Sequence, residues 1–148
     1  MNERTTPQRL IIPALGGLYA SLHDGAETLL RLVAGLALVT HGVGKIANPF
    51  GAVEMVEGLG FYPGVFWSPL LAATEFFGGI LVAIGLLTRP GALAAAIVLL
   101  VTVWFHWITM DQGYSGSEKS IIWTAVFVFF AIRGGNRHSV DAKIGRAC

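Results

Sequence analysis

The sequence predicts an all-α integral membrane protein, a four-helix bundle with both termini in the cytoplasm. Three observations lead there. Hydrophobic residues make up 54% of the 148 and charged residues 13%, with a mean hydropathy of +0.66. A soluble domain carries about 25% charged residues. The apolar residues gather into four stretches, each near the length that crosses a hydrocarbon core of about 30 Å. The Lys and Arg residues then divide unevenly between the two ends of those stretches. The length fits a single domain.

Residues 1–25 read as a cytoplasmic or interfacial segment. It is polar up to Arg9, and an apolar patch at 10–22 comes next, broken by Pro13, Gly16 and Gly17. The patch is too short to span and suits a segment lying on the membrane. A secretory signal is disfavoured, because 18–24 lacks a cleavage pattern. The first span is 26–46. Asp24 and Glu27 form a D-x-x-E cap at its start, and Asn48, Pro49 and Gly51 end it. Residues 51–67 read as a loop with a short interfacial turn near 52–59.

The second span, 69–87, opens on Ser68-Pro69, a capping residue followed by a first-turn proline. Thr88-Arg89-Pro90 is a tight connection into the third span, 90–110. Residues 111–117 form a polar loop. The fourth span, 118–133, comes after Ser115-Gly116-Ser117-Glu118, which reads as a capping box. Gly134-Gly135-Asn136 stops it, and 136–148 is a cytoplasmic tail.

Four spans put both termini on one side. That side carries Arg4, Arg9, Arg31, Arg89, Arg133, Arg137, Lys143 and Arg146, against Lys45 and Lys119 on the other. Short loops rich in Lys and Arg stay inside, so the termini are expected in the cytoplasm.

Several function classes drop out. No basic stripe with interleaved aromatics exists, so nucleic acid is not a partner. Cys148 is the one cysteine, which excludes an intrachain disulfide and a CxxC pair. Redox chemistry would need a bound cofactor, a partner or the substrate. No GxGxxG or GxxxxGK loop is present.

Glu75 is the most telling residue. It stands in a stretch with no other charge before Arg89. An ionisable side chain at the centre of a span costs about 2.5–3.5 kcal/mol on insertion scales, so it calls for a partner or a job. At about 1.5 Å per residue, His41 and Lys45 lie about 15 and 21 Å outward of Arg31, Glu75 about 9 Å in from the outer surface, and His106 about 24 Å outward of Pro90. With Glu118, these groups fall in the outer half, while the inner half offers only an arginine edge.

Helical spacing agrees with this picture. His41 and Lys45 are i,i+4 and share a face. Gly79, i+4 from Glu75, allows a neighbouring helix to pack closely below the carboxylate. Trp104, Trp107 and Trp123 border the region. Each group also has a plainer role. Glu75 pairs with Lys45 or His41, Lys45 snorkels to the headgroups, Glu118 caps a helix, and the tryptophans form an interface belt. Two histidines and a carboxylate on separate segments lack metal-ligand spacing, so no metal is assigned.

From Leu30 to Asp141 the chain resembles the DoxX family of small four-helix membrane proteins. The resemblance rests on Arg31, Gly35, His41-Gly42-Val43-Gly44-Lys45, Glu75 followed by Gly78-Gly79, and Gly85-Leu86-Leu87-Thr88-Arg89. His106 and Glu118 fit as well. The resemblance implies a plasma-membrane protein linked to a membrane subunit of a thiosulfate:quinone oxidoreductase. Related proteins occur in membrane complexes with redox-stress enzymes, and more distant ones look like trafficking or assembly factors. Family membership alone does not establish catalysis.

The leading expectation is a quinone-linked redox subunit, the cofactor being left open apart from that quinone. Glu75, His41 and His106 are then the catalytic candidates, as proton exchanger and donors to the quinone carbonyls. Lys45 and Glu118 are expected to bind the cofactor, with Trp104, Trp107 and Trp123 stacking on the ring. The expected partners are the bilayer and a membrane or periplasmic redox protein, with the oligomeric state left open. The alternatives are a non-enzymatic scaffold or assembly subunit, and a small-solute or proton pathway.

Overall fold

Four helices are long and apolar enough to cross a membrane, and they correspond to the four expected spans. The computed structural model describes residues 11–145. The segment 1–10, with Arg4 and Arg9, and the last three residues, with Arg146 and Cys148, lie outside them. Helix α1, Gly16–Ala47, is entered through a 3₁₀ turn, Pro13–Leu15. A short α2, Val53–Gly58, precedes α3, Gly64–Ile84. Then come α4, Thr88–Thr109, α5, Gly113–Arg133, and a final turn α6, Val140–Lys143. No strand occurs among the described residues.

Three helix starts move for local reasons. α1 starts well before residue 26, because Pro13 sits in its opening turn, where a missing N–H loses nothing. Asp24 and Glu27 therefore lie inside α1 and cap nothing. α5 starts at Gly113, so Glu118 lies beyond its first turn and the expected capping box does not form. α3 likewise starts at Gly64, after Pro63, with Pro69 inside it. The Ser68 hydroxyl instead donates to the Pro49 carbonyl at 2.6 Å and accepts from the Ala52 N–H at 3.2 Å. That pair of bonds ties the α2 segment to α3.

The four long helices alternate in direction. α1 packs on α3, α3 on α4, and α4 on α5. The α1–α3 seam depends on glycine. A Cβ on Gly35 would fall 2.6 Å from the Gly79 carbonyl oxygen, and one on Gly42 2.6 Å from the Phe76 nitrogen. The backbones touch, and only the absence of side chains permits it.

The packed core lies in the half of the bundle nearest the α3–α4 turn. Ala92, Ala95 and Ala96 of α4 let Phe127 and Phe130 of α5 press against Ala34, Leu38 and Val82. The other half, below α2, is hollow.

Candidate functional site

The hollow half holds a cavity of about 850 Å³ reached by all four long helices and roofed by Met55 and Val56 of α2 and by Leu59 just after it. Its floor is apolar, formed by Ala34, Leu38, Leu99 and Phe127. Its upper walls carry His41 and Lys45 from α1, Glu75 from α3, His106 from α4 and Trp123 from α5.

Two of these side chains sit on departures from α-helix. Thr74–Gly78 in α3 is a π-helical turn carrying Glu75, and Phe105–Thr109 in α4 is another carrying His106. A π turn adds a residue to the helical repeat and re-aims the side chains beyond it, and such turns gather at functional sites. The first π turn lies near the middle of α3 and the second at the end of α4, and Glu75 and His106 both line the cavity.

Glu75 is buried at 6% exposure, and its Oε2 accepts from Lys45 Nζ at 2.5 Å. The Lys45 side chain keeps 34% of its surface exposed, so the pair is half open to the cavity rather than sealed in the core. Gly42 makes the pairing possible by bringing α1 against the backbone of the Glu75 turn. His106 Nδ1 lies 2.9 Å from Gln112 Oε1, which leaves the other ring nitrogen unengaged by that contact.

Three expected site residues do not line the cavity. Trp104 and Trp107 are 46% and 41% exposed, and Trp107 meets Tyr114 edge-on. Their outward position is that of an interface belt. Glu118 is exposed on α5. Its neighbour Lys119 does line the cavity, with Gly116, Ser120 and Trp123. The spacing from Lys119 to Trp123 is i,i+4, the one sequence signal that would have found it.

The opposite end is richer than an arginine edge. Arg31 is buried at 2% exposure and donates through Nη1 to the Val82 carbonyl at 3.2 Å. Asp141 of α6 accepts from the Leu87 N–H at 2.8 Å and from the Thr88 N–H and hydroxyl at 2.9 and 2.7 Å. Burial alone would push the Asp141 carboxyl up. The Thr88 and Leu87 donors and the Arg31 charge outweigh that and hold it below its ordinary value.

Glu27 meets Arg133 at 3.5 Å, and Asp24 meets Arg137 at 2.6 Å. Asn136 donates to the Asp24 carbonyl at 2.7 Å. The acidic residues of α1 thus hold the end of α5 and its tail. Between this polar end and the cavity lies the apolar core.

His41, Glu75 and His106 do not gather their ligand atoms within reach of one ion. Among the described residues, only His23, Asp24 and Glu27 bring three such atoms within 4.8 Å of one another. Arginines already hold the two carboxylates.

Four apolar helices around a cavity define a small multi-pass protein of the inner membrane. The chain belongs to the DoxX family, whose profile matches residues 26–107. It is 29% identical over 127 residues to the inner membrane protein YqjF of Escherichia coli, covering 84% of this chain and 96% of that one. It is 33% identical over 72 residues to CatD of Bacillus subtilis, provisionally named an oxidoreductase, covering 49% and 52% of the two chains. No solved structure matches the chain.

Proposed function

We propose that the protein is a quinone-linked redox subunit and that the cavity is its ligand site. The observation that carries this reading is one apolar cavity whose upper wall collects Glu75, Lys45, His41 and His106, two of them delivered by π turns. A quinone head needs donors at its carbonyls and a proton source on reduction. His41 supplies a donor, and His106, whose Nδ1–H is held by Gln112 Oε1, offers Nε2 to a quinol hydroxyl. Glu75 exchanges the proton, Lys45 steadies the developing negative charge, and Trp123 packs on the ring. The name of CatD lends this reading support. The cavity faces the extracytoplasmic side, and a membrane or periplasmic redox protein is the partner.

Mass spectrometry of small molecules extracted from protein purified in native lipid tests this. A quinone enriched with the wild type and lost with Glu75→Gln is expected. Equal quinone in both proteins would sink the assignment.

A non-enzymatic scaffold is the second reading, favoured by the mutual satisfaction of Lys45 and Glu75. The double variant Lys45→Gln/Glu75→Gln separates the two, because it removes both charges together and avoids an unpaired buried carboxylate. A ligand site predicts a folded double variant without quinone. A scaffold predicts a wild type that carries a partner protein and no ligand of its own. A transmembrane proton or solute path is disfavoured by the apolar core of Ala34, Leu38, Val82 and Phe127 between the two polar ends.

A further inference from the structure

We infer that the cavity takes a long-chain amphiphile with an anionic head, and that Lys119 receives the head. This deepens the ligand-site reading above. It rests on the cavity being a binding site, whether or not the ligand is a quinone.

Three walls carry the same gradient. On α5, Lys119 and Ser120 stand above Trp123 and Phe127. On α1, Lys45 and His41 stand above Leu38 and Ala34. On α4, His106 and Thr102 stand above Leu99. Residues three and four apart share one helix face, so each wall is a continuous strip, polar at the α2 end and apolar at the floor. A ligand matching all three strips has a polar head at the α2 end and a chain reaching down to Phe127. The volume of about 850 Å³ suits a molecule of that kind more than a small solute.

The sign of the head comes from the charges. Lys45 is neutralised by Glu75. Lys119 has no hydrogen-bond or ion-pair partner among the described residues. The nearby acids Glu54, Glu57, Asp111 and Glu118 do not line the cavity, and Glu57 is already engaged with the Gly64 N–H at 2.7 Å. The charge balance of the walls is therefore one positive charge, on the side opposite the Lys45–Glu75 pair.

The way in is from the bilayer. Among the described residues, the hydrogen bonds and ion pairs joining α1 to α5 and its tail lie at the end away from the cavity, at Asp24, Glu27 and Thr28. Beside the cavity, His41 and Lys45 face Lys119 and Trp123 across open space. That seam admits a chain laterally, with its head sliding past Lys119.

Native mass spectrometry in a non-ionic detergent, titrating oleyl phosphate against oleyl alcohol, tests the inference with one chain and two heads. The wild type is expected to bind the phosphate at least about tenfold more tightly, the scale of one charge-assisted hydrogen bond. Lys119→Ala should bring the two ligands to equal affinity, and Lys119→Arg should keep the preference. Lys119→Gln repeats the comparison should the alanine variant melt early. Equal binding of both heads by the wild type, or an unchanged preference in Lys119→Ala and Lys119→Gln, overturns it. Competition then identifies the natural source of the anion. Displacement of oleyl phosphate by phosphatidylglycerol assigns it to a bilayer phospholipid, and displacement by oleate with phosphatidylglycerol inert assigns it to a free fatty acid.

Discussion

Asp141 shows what a single carboxylate does at the closed end of the bundle. It accepts three hydrogen bonds from Leu87 and Thr88 and so fastens α6 to the start of α4. These bonds need the ionised form. Its folded pKa lies below its unfolded value of about 3.9, so its stabilising contribution is complete above that value. The contribution fades as pH falls through the folded pKa. Melting temperatures of wild type and Asp141→Asn should therefore differ most at neutral pH and converge only well below about pH 4, once pH has fallen through the lowered folded pKa and the wild-type carboxyl is protonated too. A gap that persists unchanged under acid would mean that Asp141 acts through shape rather than charge. The sequence held Asp141 only as the last residue of a resemblance. Its partners lie more than fifty positions away, and no local pattern encodes that contact.

At the scale of the element, the α1–α3 pair is where sequence and structure agree best. The i,i+4 relation of Glu75 and Gly79 marks a close helix contact, and Gly35 supplies the other half of it. Replacing Gly35 by alanine sets a Cβ 2.6 Å from both the Ala83 nitrogen and the Gly79 oxygen. Backbone atoms cannot rotate away, so the helices must separate, at a cost of about 1–3 kcal/mol. Thermal melting in detergent should show Gly35→Ala destabilised. Gly44→Ala, on the same helix with nothing within 4 Å, should melt like the wild type or slightly higher.

The π turns were not legible. Their signature is a shift of hydrogen bonds by one residue, and hydropathy does not change across it. The start of α5 was hidden for a similar reason. Gly113 and Gly116 look like loop residues until Ser117 is seen buried under α4, 3.4 Å from the Val103 carbonyl.

Taken whole, the molecule is a bundle whose two ends differ in kind. One end is sealed by interlocking charges, Asp24 with Arg137, Glu27 with Arg133, and Asp141 on the α3–α4 turn. The other is a cavity under a thin roof, α2. Arginines gather at the sealed end, which the positive-inside bias assigns to the cytoplasm even though buried Arg31 serves the fold rather than the headgroups. The remaining charges at that end, Arg89, Arg133, Arg137 and Lys143, still outweigh Lys45 and Lys119. The Lys45 charge is moreover cancelled by Glu75.

An impermeant maleimide reads this orientation directly. In a background with Cys148 replaced by Ser, Glu54→Cys in α2 and Lys143→Cys in α6 are both exposed positions at opposite ends. In intact spheroplasts Glu54→Cys should label and Lys143→Cys should not, while lysis should expose both. The reverse pattern would turn the cavity toward the cytoplasm. A periplasmic donor could then no longer reach it, and any redox partner would have to be sought among cytoplasmic proteins.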